Sequence, residues 1–200
     1  MKNQYFADIN DYYKYSLLQQ LSENYEITVA WWLTDDDGST DGRKTDYVNK
    51  PALRELSPEI FDFMKACVEN NIREVSVIEN TNLINARYYS PLITDDMDQR
   101  QNYMDDLMAF AEGTKLIFVD PDNGMEIKST RKGNKNSGKY IYLDEIKRIY
   151  DAGYKLLIYQ HFGRVNHQDF MDKKSQELEK LLKAKITPTK FGNVAFFLIT

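Results

Sequence analysis

The sequence predicts an α/β fold, a three-layer sandwich with a seven-stranded, mostly parallel sheet and a C-terminal antiparallel hairpin. Three observations predict it. Short apolar runs that stop at a polar or acidic residue alternate with segments of helical periodicity. The clearest run, Leu116-Ile117-Phe118-Val119, ends abruptly in Asp120-Pro121-Asp122-Asn123-Gly124, as expected of a buried parallel strand that presents its C-terminal end to a ligand. The last two apolar runs flank Lys190-Phe191-Gly192-Asn193 and read as a hairpin. No linker composition or internal repeat interrupts the chain, so a single α/β domain spanning residues 1–200 is expected.

Taken in order, segment 8–24 carries Ile9, Tyr12, Tyr13, Leu17, Leu18 and Leu21 at near-helical spacing, with Asp8 or Asp11 as N-cap. Segment 26–33, EITVAWWL, is β-branched and aromatic and predicts a buried strand. Within it the adjacent Trp31 and Trp32 are expected to point to opposite faces. The polar stretch 34–51 is long for a connection inside a domain, which favours a functional loop. Ser57-Pro58-Glu59 starts a helix that runs to Asn70-Asn71. Segments 75–78 and 86–89 predict two strands, the first ending in Glu79.

A helix is expected from Thr94-Asp95-Asp96 to its Gly113 stop, and another from Leu143 to Gly153. Between them lies the strand 116–119 and a long basic loop. Segment 155–160, KLLIYQ, predicts a further buried strand ending at His161, and 166–184 a further amphipathic helix. Segments 185–189 and 194–199 are the hairpin strands.

Composition excludes several classes. No apolar stretch approaches the eighteen residues of a membrane span, and the N-terminus has no signal-peptide core. A cytoplasmic protein without a membrane partner is expected. The single cysteine, Cys67, falls on a helix face with Phe63 and Met64 and reads as a buried thiol. A net charge of -5 argues against a strongly basic nucleic-acid binder, although Lys128, Arg131, Lys132, Lys135 and Lys139 make one local basic patch. With three glycines and few apolar residues, the loop 123–139 is expected to be a mobile lid over a phosphate-bearing ligand.

The candidate catalytic residues follow from the strand ends. Asp120 is costly directly after an apolar strand unless solvated or employed. Asp122 and Asn123 share its turn, and His161 ends the neighbouring strand with Arg164 close behind. Lys14, Arg43, Lys132, Lys135 and Arg164 are the candidate substrate-binding cations. Tyr47 and Tyr140 lie beside the site loops as candidate base-stacking platforms. No cysteine or histidine cluster calls for zinc, and no metal site is assigned. Asp35, Asp37 and Asp120 nevertheless offer hard oxygen ligands for Mg2+, with His161 or Lys14 assisting proton transfer.

The element succession, and the terminal hairpin in particular, resembles the class I S-adenosylmethionine-dependent methyltransferase fold, a Rossmann-like architecture, over nearly the whole chain. Phe6-Ala7-Asp8 followed by Lys14 resembles the start of the large-subunit ribosomal RNA adenine-N6 methyltransferases. Asp120-Pro121-Asp122-Asn123 stands where such enzymes carry a D-P-P-Y tetrapeptide on the target amine. The resemblance implies S-adenosylmethionine as cofactor, with Asp35, Gly38 and Gly42 in the loop by its carboxylate end and Glu79 on its ribose. It implies a nucleic acid or nucleotide as substrate. The departures are an acidic segment where the family has glycines, and Asp122-Asn123 in place of Pro-Tyr. They leave three readings open: a methyltransferase-like enzyme, active or degenerate; a Mg2+-dependent phosphoesterase or nuclease using the acidic cluster; and a non-catalytic binding protein on the same scaffold.

Overall fold

The computed structural model describes residues 1–38 and 42–200; Ser39, Thr40 and Asp41, the last of these counted in the acidic loop, lie outside the described residues. The chain divides into two compact units. One comprises Met1, Glu26–Thr34 and Arg87–Thr200, and carries the sheet. The other comprises Lys2–Tyr25 and Asp35–Ala86 and is mainly helical in its described residues.

The sheet unit is α/β. Its strands are β1 (Ile27–Ala30), β2 (Ala86–Tyr89), β3 (Leu116–Val119), β6 (Lys155–His161), β7 (Ile186–Phe191) and β8 (Val194–Ile199), in the order β2-β1-β3-β6-β8-β7. The short β4 (Gly124–Met125) and β5 (Tyr140–Ile141) form a separate parallel pair. In the main sheet β1, β3 and β6 are parallel, with Ala30 beside Val119 and Val119 beside Ile158. The terminal hairpin folds so that β8 enters antiparallel between β6 and β7. Every residue of β1 and β3 is buried, which is why these strands are continuous apolar runs rather than alternating ones.

Helices α4 (Met97–Phe110), α5 (Leu143–Asp151) and α6 (His167–Leu182) belong to the same unit. Their inward residues, among them Leu107, Ile146, Ile149 and Leu178, share one core with Ile117, Ile158 and Phe197 of the sheet. Asp96 caps α4 through Gln99 N–H at 2.9 Å, and Asn166 caps α6 through Gln168 and Asp169. In the other unit, α1 (Ile9–Ser22) is capped by Asp8, and α2 (Pro58–Glu69) opens on Ser57-Pro58. Cys67 is buried there, and burial pushes its thiol up from the ordinary range. Among the described residues no helix is long and apolar enough to cross a membrane.

Three expectations are corrected. Segment 75–78 is not a strand, and the main sheet has six strands rather than seven among the described residues. Ser76–Glu79 forms a short helical turn, α3. Val75 and Ile78, three apart, both bury their side chains from that turn, and Val75 N–H is taken by the Asn3 side chain at 3.0 Å instead of by a strand neighbour. Trp31 and Trp32 follow β1 instead of continuing it, because Trp32 adopts a positive φ of 52°. Trp31 stacks on Tyr88, and Trp32 meets Tyr103 edge-on at 5.2 Å.

The third correction concerns the basic loop, whose residues 136–138 are tied to the start of α4 rather than left free as part of a lid. Asp95 accepts from Asn136 N–H at 2.7 Å and Gly138 N–H at 2.6 Å, and Ser137 is fully buried. Its polar backbone is thus satisfied by side chains from before and within α4, a source of order that apolar content does not reveal.

Candidate functional site

Asp120 leaves β3 with its N–H on Ala30 O, 3.2 Å away, so the C-terminal ends of β1 and β3 stay together. The chain passes from β1 to β2 on one side and later to β3 on the other. That places a switch of direction between β1 and β3, the usual position of a ligand crevice in an open α/β sheet. Asp120 is 1% exposed. Beyond it, Gly124 N–H returns to Pro121 O at 3.1 Å and closes the Asp-Pro-Asp-Asn-Gly turn.

The C-terminal ends of β1 and β3 hold a set of buried acceptors. The Met1 ammonium donates to Trp32 O at 3.1 Å and to Asp120 O at 2.8 Å. It also lies 2.7 Å from Asp122 Oδ1, an ion pair rather than an aligned hydrogen bond. The other Asp122 oxygen accepts from Thr34 Oγ1 at 3.2 Å. Two carbonyls and one buried carboxylate converging on a single ammonium leave that cation well compensated. Asn123, by contrast, is exposed.

Gln160, unremarked in the sequence, holds this turn to the next strand. Its Oε1 accepts from Met125 N–H at 2.9 Å, while its Nε2 donates to Asn123 O at 2.9 Å and His161 O at 2.8 Å. A polar side chain at the end of an otherwise apolar strand was the available signal. His161 ends β6 half-buried, with Nε2 3.3 Å from Asn193 Nδ2. Asp120, Asp122, Asn123 and His161 are therefore gathered at one sheet edge, linked through Gln160. Arg164 follows in an exposed loop beside His161.

The basic loop divides. Lys135 is exposed, whereas Lys132 turns inward to Asp144 at 2.6 Å and to Glu145 at 3.3 Å. Glu145 is itself buried against Arg100, which also bonds Ser137 O and Tyr140 O. Lys132 thus belongs to a structural ion network. Tyr140 contributes its carbonyl to that network and to Trp32 Nε1, so only its backbone role is defined.

The remaining candidates lie in the helical unit. Lys14 is 2% exposed, with Nζ 2.7 Å from Asp11 Oδ1. Tyr47 is buried and stacked on Tyr12 at 5.5 Å, and burial raises its hydroxyl pKa well above the ordinary value; it is core there. Arg43 and Asp35 are exposed. Asp36 accepts from Gln4 N–H, and Asp37 pairs with Lys2, so two of the acids bind the chain's own residues. Gly38 has open space around it, but a Cβ on Gly42 would lie 2.6 Å from Tyr5 Cα. Gly42 is therefore required by that close approach. Glu79 sits on the helical turn α3, not at a strand end, which removes the placement on which its ribose role was based.

Asp8 yields a pH prediction. Burial holds its carboxyl above the ordinary range, against the lowering effect of the Asp11 and Asn10 N–H groups and of Lys14 and Lys44. The folded state then keeps the proton longer than the unfolded chain does. Its contribution is greatest below the unfolded pKa and is lost as pH rises through the folded value. Asp8→Asn retains a capping side chain, so its stability in denaturant titrations should fall less between weakly acidic and neutral pH than that of the parent. An unchanged slope would contradict this.

The chain matches no family model, no curated protein and no solved structure. Among the described residues no three His, Cys, Asp or Glu side chains converge in a way that could hold a metal ion.

Proposed function

We propose that this chain is a methyltransferase-like enzyme, Rossmann-like in its layering, that uses S-adenosylmethionine and acts on a nucleic acid or nucleotide in the cytoplasm. The carrying observation is the acceptor set at the C-terminal ends of β1 and β3. S-adenosylmethionine bears a primary ammonium, and Trp32 O, Asp120 O and the Asp122 carboxylate together suit such a group. The strand order supports the reading, because the terminal hairpin enters the sheet antiparallel, the feature on which the resemblance rests.

When bound, the cofactor would supply an electrophilic methyl group. Trp32, Asp120 and Asp122 would hold its ammonium end in competition with Met1, while Asn123, exposed at the same turn, stands where an acceptor amine would be oriented. His161 at the neighbouring strand end is the candidate for proton transfer. Glu79 and Gly42 carry no part in this reading. The hydrolase alternative, built on Asp35, Asp37 and Asp120, has no converging donor set among the described residues, and of those acids Asp37 is engaged by Gln4 and Lys2.

Calorimetric titration with S-adenosylhomocysteine tests the proposal. Binding is expected for the parent chain, and Asp122→Ala should weaken it at least tenfold. Equal affinity in the two proteins would place the cofactor's ammonium elsewhere.

A further inference from the structure

The chain has only two histidines among 200 residues, and both line one cleft. This cleft, of about 750 Å3, opens where β6 ends, between the β7–β8 turn and the start of α6. Its lining adds Arg164, Asn166 and Asn193 to His161 and His167. It includes no carboxylate, in a chain with 31 acidic residues and a net charge of -5. Arg164 is exposed and pairs with no carboxylate among the described residues. A cationic arginine next to two imidazoles and two carboxamides is a donor-rich surface suited to an anion.

The surroundings fix this arrangement. His167 is the first residue of α6 and lies flat on Phe162, with ring centroids 4.0 Å apart and planes 10° apart. Phe162 is in turn packed edge-on against Phe170, 5.7 Å away. His161 is placed by the end of β6 and by Asn193. The N-terminus of the sixteen-residue α6 faces the same region, where its dipole favours negative charge. Asn166 already takes the Gln168 and Asp169 N–H groups, so the helix contributes field more than donors.

We infer that this cleft binds a phosphate group, with Arg164 supplying the fixed charge and His161, His167 and Asn193 the neighbouring donors. The inference rests on the reading of this sheet edge as the substrate side of the proposed enzyme, and it names phosphate as what the substrate presents there. It does not require the cofactor. A phosphate could arrive free or within a nucleic-acid backbone, and the two sources are separable.

With only two imidazoles, the side-chain nitrogen spectrum of a uniformly labelled full-length chain reports on the cleft directly. Inorganic phosphate and a single-stranded RNA hexamer would be titrated separately at fixed pH and ionic strength. Both histidine signals should shift and saturate, and Arg164→Gln should raise the required concentration at least tenfold for whichever ligand acts. Saturation by the hexamer at much lower concentration than by phosphate would assign the site to a backbone phosphodiester; comparable concentrations would assign it to free phosphate. Histidine signals that move with neither ligand, or that move equally in Arg164→Gln, would overturn the inference. Phosphate-dependent shifts in a chain that fails to bind S-adenosylhomocysteine would count against methyl transfer and leave the cleft assignment standing.

Discussion

Replacing Gly124 by alanine is expected to destabilise the sheet unit by on the order of 4 kcal/mol, from strain of about 1–3 kcal/mol and lost buried hydrogen bonds of about 1–3 kcal/mol. Gly124 adopts φ +88°, a conformation that side chains rarely tolerate. A Cβ there would lie 2.4 Å from the Gln160 carboxamide, which bonds the turn on both sides. Alanine therefore adds backbone strain and also pushes away the side chain that holds β4 to β6. Gly113→Ala provides the comparison, since Gly113 has φ +89° but nothing within 4 Å of the added carbon. The melting temperature should fall by roughly 10 °C for Gly124→Ala and by clearly less for Gly113→Ala. Equal losses would mean that the Gln160 contact contributes nothing.

Arg100→Ala should cost about 3–5 kcal/mol, the range for breaking a buried ion pair by removing one partner. The guanidinium is 2% exposed and bidentate to Glu145, at 2.6 and 2.9 Å. It also donates to Tyr140 O at 2.7 Å and Ser137 O at 3.2 Å, and lies over the rings of Trp32 and Tyr142. One residue of α4 thus fixes the end of the basic loop and the start of α5. Lysine cannot reproduce the planar fork, so Arg100→Lys should recover less than half of the loss. Denaturant titration measures both. A cost for Arg100→Ala below about 1 kcal/mol, the value of an exposed pair, would show that the network is solvated.

These two residues also show what the sequence conceals. Arg100 stands on the apolar stripe of its helix with Met104 and Leu107, a cation at a core position, yet spacing cannot say that its partner is Glu145. The strand ends were legible because buried parallel strands must be apolar and must stop: Asp120 and His161 were found in that way. Val75 and Ile78 were misread because an apolar pair three apart in a short segment fits a helical turn as well as a strand. Lys132 looked like a free cation because its partners, Asp144 and Glu145, are separated from it by a turn whose path only tertiary bonds define. The acceptor set on Met1 was invisible, since two of its three members are backbone carbonyls. Of the two histidines only His161 was marked by a strand end, and nothing in their spacing announced one shared cleft.

Calorimetric titration of the full chain with S-adenosylhomocysteine tests most directly the proposed binding of S-adenosylmethionine at the C-terminal ends of β1 and β3. Saturable binding with one site per chain is expected, at affinity lowered by the need to displace the Met1 ammonium. Absence of binding up to millimolar ligand, in a chain whose melting curve shows it to be folded, would contradict it.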